Sequence, residues 1–231
     1  MAMTTVLRLL VRLRRYPSAA LLAVQLIGVL LYAVLDDGST GRAGQVVLSL
    51  FGLVVLGLAL RMVRQSPAAS GWAMALAASV LVLWVWQGLA PSNHLLLAIS
   101  LLEALFYLYA AGALITYMLQ DDVATADELM AAGATFTVLA WAFAHLYMAC
   151  QLLAPGTFPA AVRPDAPRTW FELLFLSFTT LAGVGLSDIS PVKPMGRALV
   201  MLEELAGVMY IAGVVSRLIG LTITRRRSGD K

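Results

Sequence analysis

Apolar residues along the chain gather into six runs, at 18–35, 45–63, 72–90, 94–119, 133–153 and 195–221, divided by short polar segments. Each run is roughly 18 to 26 residues long, enough to cross a hydrocarbon layer of about 30 Å. Lipid leaves no backbone group unpaired, so each run predicts a helix. Between the fifth and sixth runs the pattern changes. A proline-rich stretch, PGTFPAAVRPDAP, leads into TWFELLFLSFTTL, an apolar helix of about twelve residues that is too short to cross. Such a helix must enter and return, and the irregular backbone after it is tolerated only where protein or a water-filled cavity surrounds it. That backbone, SFTTLAGVGLSDISP at 177–191, is rich first in Thr, then in Gly, then turns acidic. Extended chain with small side chains is what lets carbonyl oxygens replace the water around a cation.

Composition settles the class. Of 231 residues, 61% are hydrophobic and 13% charged, more apolar surface than a soluble core of this size hides, so the chain is read as an integral membrane protein. Arg8, Arg12, Arg14 and Arg15 precede the first run, Arg61 and Arg64 close the second, and Arg225, Arg226 and Arg227 follow the sixth. The opposite connections hold fewer basic residues, mainly Arg42, Arg163, Arg168 and Lys193. Both termini are therefore expected in the cytoplasm, as an even number of spans requires, with the protein in a plasma (inner) membrane and of bacterial type. A cleaved signal peptide is disfavoured, because the first run is long and ends in Asp36-Asp37-Gly38 without a small-residue cleavage pattern. The basic ends flank spans directly and suit anionic lipid headgroups rather than nucleic acid. The single cysteine, Cys150, excludes an intrachain disulfide and a cysteine metal cluster and reads as a small packed hydrophobe.

The expected organisation is a basic N-terminus at 1–17, a four-helix scaffold at 18–120, an acidic linker at 121–132, a second block at 133–221 and a tail at 222–231. Asp127 and Glu128 in the linker either favour the start of the fifth span through the helix dipole or are simply solvated. A voltage sensor needs basic residues at three-residue spacing on one span, and the fourth span, HLLLAISLLEALFYLYAAGALITYML, has none. Glu103 and His145 lie at similar depths in the fourth and fifth spans, and they are expected either to form a structural pair or to act as a pH-linked pair between scaffold and second block. Glu203 and Glu204 lie high in the sixth span, where one backs the irregular segment or pairs with Arg168 or Arg197, and Glu203 is favoured. Gly207 is either a bend or a close-packing point, and Ser216 is expected lower on the same span, facing an inner vestibule. No HExxH, phosphate-binding glycine loop or nucleophile elbow is present, and no enzyme activity or metal site is expected.

The arrangement of span, proline-rich turret, short helix, SFTTL, glycine-bearing segment, Asp-Ile-x-Pro and span resembles the pore module of the potassium-channel superfamily, whose usual core reads T-T-V-G-Y-G-D. Against the bacterial form SFTTLTTVGYGDITP, roughly ten of these positions match without gaps. Val123 to Glu128, Trp141-Ala142-Phe143, Leu202-Glu203, Gly207, Tyr210 and the run Ser216 to Leu221 extend the likeness to small bacterial six-span ion-channel proteins. The resemblance implies an all-α membrane protein of six transmembrane helices with a re-entrant pore helix at 168–181 and a filter at 182–187, assembled as a homotetramer. It implies an ion filter of Ala182, Gly183, Val184, Gly185, Leu186 and Ser187, filter support from Thr179, Thr180, Trp170 and Glu203, and a gating hinge at Gly207. No cofactor is expected beyond the permeant monovalent cation, K+.

The departures from the pattern carry their own expectations. Ala182 and Gly183 replace two Thr residues, which removes a ring of hydroxyls from the innermost cation site. Leu186 replaces Tyr and loses its hydrogen bond, leaving only a chance to pack on Trp170, Phe171, Phe175 and Phe178. Ser187 stands where the family has a left-handed glycine, an expected cost on the order of 1 kcal/mol per chain. A shifted register pairing Gly183-Val184-Gly185 with Gly-Tyr-Gly keeps both glycines but displaces Asp188-Ile189-x-Pro191 by two residues. Asp188 either raises the local cation concentration at the outer mouth or braces the pore helix through Thr179 or Thr180. The expected function is a potassium-permeable cation channel, weakly selective over sodium and not strongly voltage-gated. The alternatives are a non-conducting auxiliary subunit and a transporter subunit built on pore-like repeats, although only one such module is visible. A single module cannot enclose an axial path, hence four chains. The residues after Leu221, TITRRRSGDK, name no regulatory partner.

Overall fold

A computed structural model describes residues 17–35, 41–65, 70–120 and 125–229. The basic cluster Arg8 to Arg15, Asp36-Asp37-Gly38 and Asp121-Asp122 lie outside the described residues. The elements are α1 (Pro17–Leu35), α2 (Gly41–Gln65), α3 (Ser70–Leu89), α4 (Asn93–Met118), α5 (Ala126–Leu153), α6 (Trp170–Leu181), α7 (Pro194–Met209), a π-helical turn (Tyr210–Val215) and α8 (Ser216–Gly229). Among the described residues there is no strand, only an isolated antiparallel bridge between Ala160 and Ile189. Five helical stretches are long and apolar enough to cross a membrane: Pro17–Leu35, Gly71–Leu89, Asn93–Met118, Ala126–Leu153 and Pro194–Leu221. The second expected span falls on α2, which is not one of those five. The chain is an all-helical, multi-pass membrane protein.

The central element is α5, with α1, α4, α6 and α7 packed around it. Its start corrects the sequence reading. The segment 126–132 is not linker but the first two turns of the helix, and Asp127 and Glu128 are buried rather than solvated. Two local devices explain this. The Thr125 hydroxyl accepts from Glu128 N (3.2 Å) while the Glu128 carboxylate accepts from Thr125 N (3.3 Å), a capping box that engages two otherwise orphan donors. Asp127 accepts from the backbone N (3.2 Å) and the hydroxyl (2.8 Å) of Ser18, so the same turn fixes the start of α1.

Small residues and buried polar pairs set the spacing of the helices. A side chain at Gly28 would overlap the Phe51 ring, which holds α1 close to α2. Deeper in the bundle the Thr137 hydroxyl meets Gln25 Oε1 at 2.6 Å between α1 and α5. The last apolar stretch, Pro194–Leu221, is not one uniform helix. It widens into the π-helical turn at Tyr210–Val215, where the Tyr210 hydroxyl donates to the Ala132 carbonyl on α5 (2.6 Å). Ser216, exposed just beyond, donates to the Ile211 carbonyl (3.2 Å). Arg217 Nη1 then reaches the Met118 carbonyl at the end of α4 (3.1 Å), tying α8 back to α4.

Candidate functional site

The pore helix α6 begins two residues into the expected 168–181 segment, capped by a second capping box. Thr169 accepts from Glu172 N (3.2 Å) and Glu172 accepts from Thr169 N (2.7 Å). Its far end is set by glycine. Gly183 N donates to the Thr180 carbonyl (2.9 Å) and Val184 N to the Thr179 carbonyl (2.9 Å), with Gly183 at φ +69°. These are the two bonds of a Schellman cap, which requires a left-handed residue where Gly183 stands. Gly185 N also reaches the Thr179 carbonyl (3.0 Å), and Gly185 is left-handed at φ +64°. Thr179 and Thr180 therefore contribute to this turn through their backbone carbonyls, while the Thr179 hydroxyl bonds back to Leu176 O (2.9 Å).

Beyond the cap the chain runs irregularly through Val184, Gly185, Leu186 and Ser187. Residues 182–186 are all exposed, and among the described residues the carbonyls of Gly183, Val184 and Leu186 accept no hydrogen bond. The carbonyls of Gly183, Val184 and Leu186 thus lie in an exposed segment without a hydrogen-bond partner from their own chain among the described residues. Two expectations fail here. Ser187 does not adopt a left-handed backbone: its N donates to Gly185 O (3.1 Å) and its hydroxyl accepts from Ile189 N (3.1 Å), so within residues 182–188 positive φ falls only on Gly183 and Gly185. Leu186, 70% exposed, does not pack on the aromatic residues of its own pore helix. Trp170 faces the scaffold instead, with ring centroids 4.6 Å from Tyr32 and 4.9 Å from Trp141.

Asp188 is exposed, and its carboxylate makes no hydrogen bond to Thr179 or Thr180. Its backbone carbonyl accepts from Ala161 N (3.2 Å), the first rung of a short antiparallel contact with the turret. Ser190 N to Pro159 O (3.2 Å) and Val192 N to Thr157 O (3.0 Å) complete it. Arg168, 3% exposed, organises the turret from within: its guanidinium donates to the carbonyls of Val162 (3.5 Å), Arg163 (2.6 Å) and Ala166, and to Glu172 (3.4 Å). Gln151 fixes the Arg168 backbone at both N (2.7 Å) and O (3.0 Å). Arg168 is thus unavailable to Glu203, and Arg197 bonds the Pro191 carbonyl (3.1 Å).

Glu203, fully buried on α7, accepts from the hydroxyls of Tyr147 on α5 and Ser177 on α6. It braces the back of the pore helix and leaves Glu204 exposed. One turn below, a Cβ at Gly207 would collide with the carbonyl of Leu181, the last residue of α6. Close approach of the two helices explains this glycine. Farther out, His145 Nδ1 lies 3.1 Å from Glu103 Oε2, and Trp84 Nε1 donates to Glu103 Oε1 (2.9 Å). Tyr107 stacks on the imidazole at 5.7 Å.

Sequence reasoning missed Tyr147, Ser177 and Trp84 as partners of the two buried carboxylates. It also missed Gln151 and Arg168 as the turret's framework. No spacing rule joins these residues, which meet across separate helices; only the capping boxes, Thr125-x-x-Glu128 and Thr169-x-x-Glu172, were readable in advance.

A comparison with protein families matches residues 104–223, just over half of the chain, to the ion-channel family. The chain belongs to that family. Residues 104–223 are a pore module of the potassium-channel superfamily, and they take in α4 from Ala104 onward, α5, α6 with its glycine cap, α7, the π-helical turn and the first half of α8. No curated protein and no solved structure matches the channel. Within this cation channel the free carbonyls after the pore helix and the Glu203 brace behind it are parts of one unit. The aromatic contacts of Trp170 join that unit to the scaffold.

Proposed function

We propose that four copies of the channel surround an axis and conduct monovalent cations, chiefly K+, through the carbonyls of residues 182–187. The observation that carries this is the glycine cap: Gly183 and Gly185 turn the chain out of the pore helix and leave the carbonyls of Gly183, Val184 and Leu186 free and exposed. Carbonyl rings of this kind substitute for an ion's hydration shell. Without Thr hydroxyls at 182 and 183 or a braced aromatic at 186, the reading includes weaker discrimination against Na+ than is usual in the superfamily. Asp188 from four chains forms an acidic ring at the mouth that concentrates cations. The first helices, with α2 counted as a sixth span, form a scaffold without a charge ladder, so gating is not strongly voltage-dependent. The gating bend of the inner helix is proposed at Gly207, just before the π-helical turn at Tyr210–Val215. Both termini lie on the cytoplasmic side of a bacterial inner membrane rich in anionic headgroups.

The test is K+ and Na+ flux from purified protein in liposomes, with Gly185→Asp as the control. Flux abolished by the variant supports the reading. Absence of flux at any voltage or pH would overturn conduction in favour of a non-conducting subunit, and a K+ over Na+ preference as high as in standard channels would overturn the weak-selectivity clause. The Glu103–His145 pair is proposed as a proton-sensitive joint between scaffold and pore, with Tyr107 and Trp84 as its other polar neighbours. If flux from His145→Phe keeps the pH dependence of the parent, that joint carries no signal.

A further inference from the structure

A cavity of about 500 Å³ lies inside the helix bundle, and each of the first six helices puts a residue on its wall: Tyr32, Gly52, Trp84, Glu103, His145 and Trp170. That volume is in the range of sites that enclose small organic molecules. Tyr32, Trp84 and Trp170 are half-buried, so their rings keep accessible surface. They form an arc with a carboxylate inside it. Trp84 Nε1 donates to Glu103 Oε1 (2.9 Å), Glu103 Oε2 lies 3.1 Å from His145 Nδ1, the imidazole sits 5.4 Å from the Trp170 ring, and that ring sits 4.6 Å from Tyr32. The Glu103 and His145 side chains are 10% and 11% exposed, which leaves the pair within reach of an occupant of the cavity they border. Among the described residues on the wall, Glu103 is the one acidic side chain and none is Lys or Arg. A neutral imidazole protonated at Nδ1 suffices for the contact with Oε2, and it leaves the charge of the carboxylate uncancelled. A carboxylate held among aromatic walls without a cationic partner is costly. The demand is specific in sign, because a positive group is drawn both to that carboxylate and to the faces of the rings beside it.

We propose that this cavity is a binding site for a small organic monocation, a quaternary or protonated tertiary amine with an aromatic or alkyl body. Its charge lies beside Glu103 without displacing Trp84 or His145, and its body lies against Tyr32, Trp84 and Trp170. A phospholipid headgroup fits less well, because its phosphate would meet no Lys or Arg on the wall. Trp170 is the first residue of α6, so an occupant joins the scaffold to the pore helix at the end opposite residues 182–187.

Benzyltrimethylammonium, which carries a fixed positive charge and a phenyl ring, is a suitable probe. It is titrated by calorimetry into the full-length channel in dodecyl maltoside, an uncharged detergent, at constant Na+. Saturable binding is expected. Glu103→Gln keeps the size of the side chain and an acceptor for Trp84 but removes the charge, and it should weaken binding by about tenfold or more. Should that change disturb folding, Gly52→Phe decides: a side chain there meets nothing within 4 Å as it leaves the backbone, so its ring takes up cavity space with Glu103 intact and should abolish binding. Absence of saturable binding to the parent, or binding unchanged by either variant, would overturn the proposal. Displacement of the probe by an equal concentration of K+ would overturn it as well, since a plain cation site has no use for aromatic walls. Displacement by added phosphatidylcholine would give the site to a lipid headgroup and overturn the assignment to a free amine. Calorimetry reads binding without conduction, so its outcome is separate from that of the flux assay.

Discussion

Ser177, in the middle of the pore helix, donates its hydroxyl to Glu203 on the following span, and it also meets the Ala140 carbonyl at 2.8 Å. The Tyr147 hydroxyl fills the other oxygen of the same carboxylate. Three helices thus share one acceptor, and its removal takes that acceptor from the buried Tyr147 hydroxyl and leaves Ser177 only the Ala140 carbonyl. Glu203→Ala should cost about 1 to 3 kcal/mol per chain, while Glu203→Gln, which keeps one acceptor oxygen, should cost less. Thermal unfolding of the purified protein ranks the two. Equal midpoints would show that the brace acts only by filling space.

Glycine to alanine in a helix interior ordinarily stabilises by roughly 0.5 to 1 kcal/mol. Gly207→Ala should have the opposite sign, because the new methyl meets the Leu181 backbone, which cannot rotate away as a side chain can. A loss of about 1 to 3 kcal/mol is expected from overpacking. A raised unfolding midpoint would mean that the two helices do not approach as closely as the structure has them.

Gly183→Ala and Ser187→Gly should also separate. The first places a Cβ on a left-handed residue, at a cost of about 1 to 2 kcal/mol, and loosens the cap of α6. The second relieves no strain, since Ser187 is not left-handed, and deletes the hydroxyl that accepts from Ile189 N. Unfolding midpoints below the parent for both variants are expected. Stabilisation by Ser187→Gly would restore the family's backbone at that position.

Arg168→Lys keeps the charge but loses the planar fork that reaches several carbonyls at once. Amide exchange at Ala166, whose N bonds the Arg163 carbonyl at 3.2 Å, should quicken by about tenfold. Unchanged exchange would show that Gln151 alone holds the turret.

The long helices and the short apolar helix after the turret were legible because apolar length and a proline-rich interruption are one-dimensional signals. The pore helix, expected at 168–181, runs from Trp170 to Leu181. The start of α5 was misplaced because Asp127 and Glu128 look solvated until Ser18, distant in sequence, arrives to bond one of them. Ser187 was misjudged for a related reason: a family pattern fixes which residues align, whereas the hydrogen bonds around Gly183 and Gly185 fix which of them turn left-handed. Trp170 was assigned to the wrong neighbour, since a composition of aromatics says nothing about which side of a twelve-residue helix they occupy.

The antiparallel contact between residues 157–161 and 188–192 binds the segment after the free carbonyls to the turret of its own chain. The chain therefore carries its own frame for that segment, held by its own backbone hydrogen bonds. Anything that grips the turret from outside takes hold of Asp188 as well, and a pull on one would be felt at the other through backbone alone.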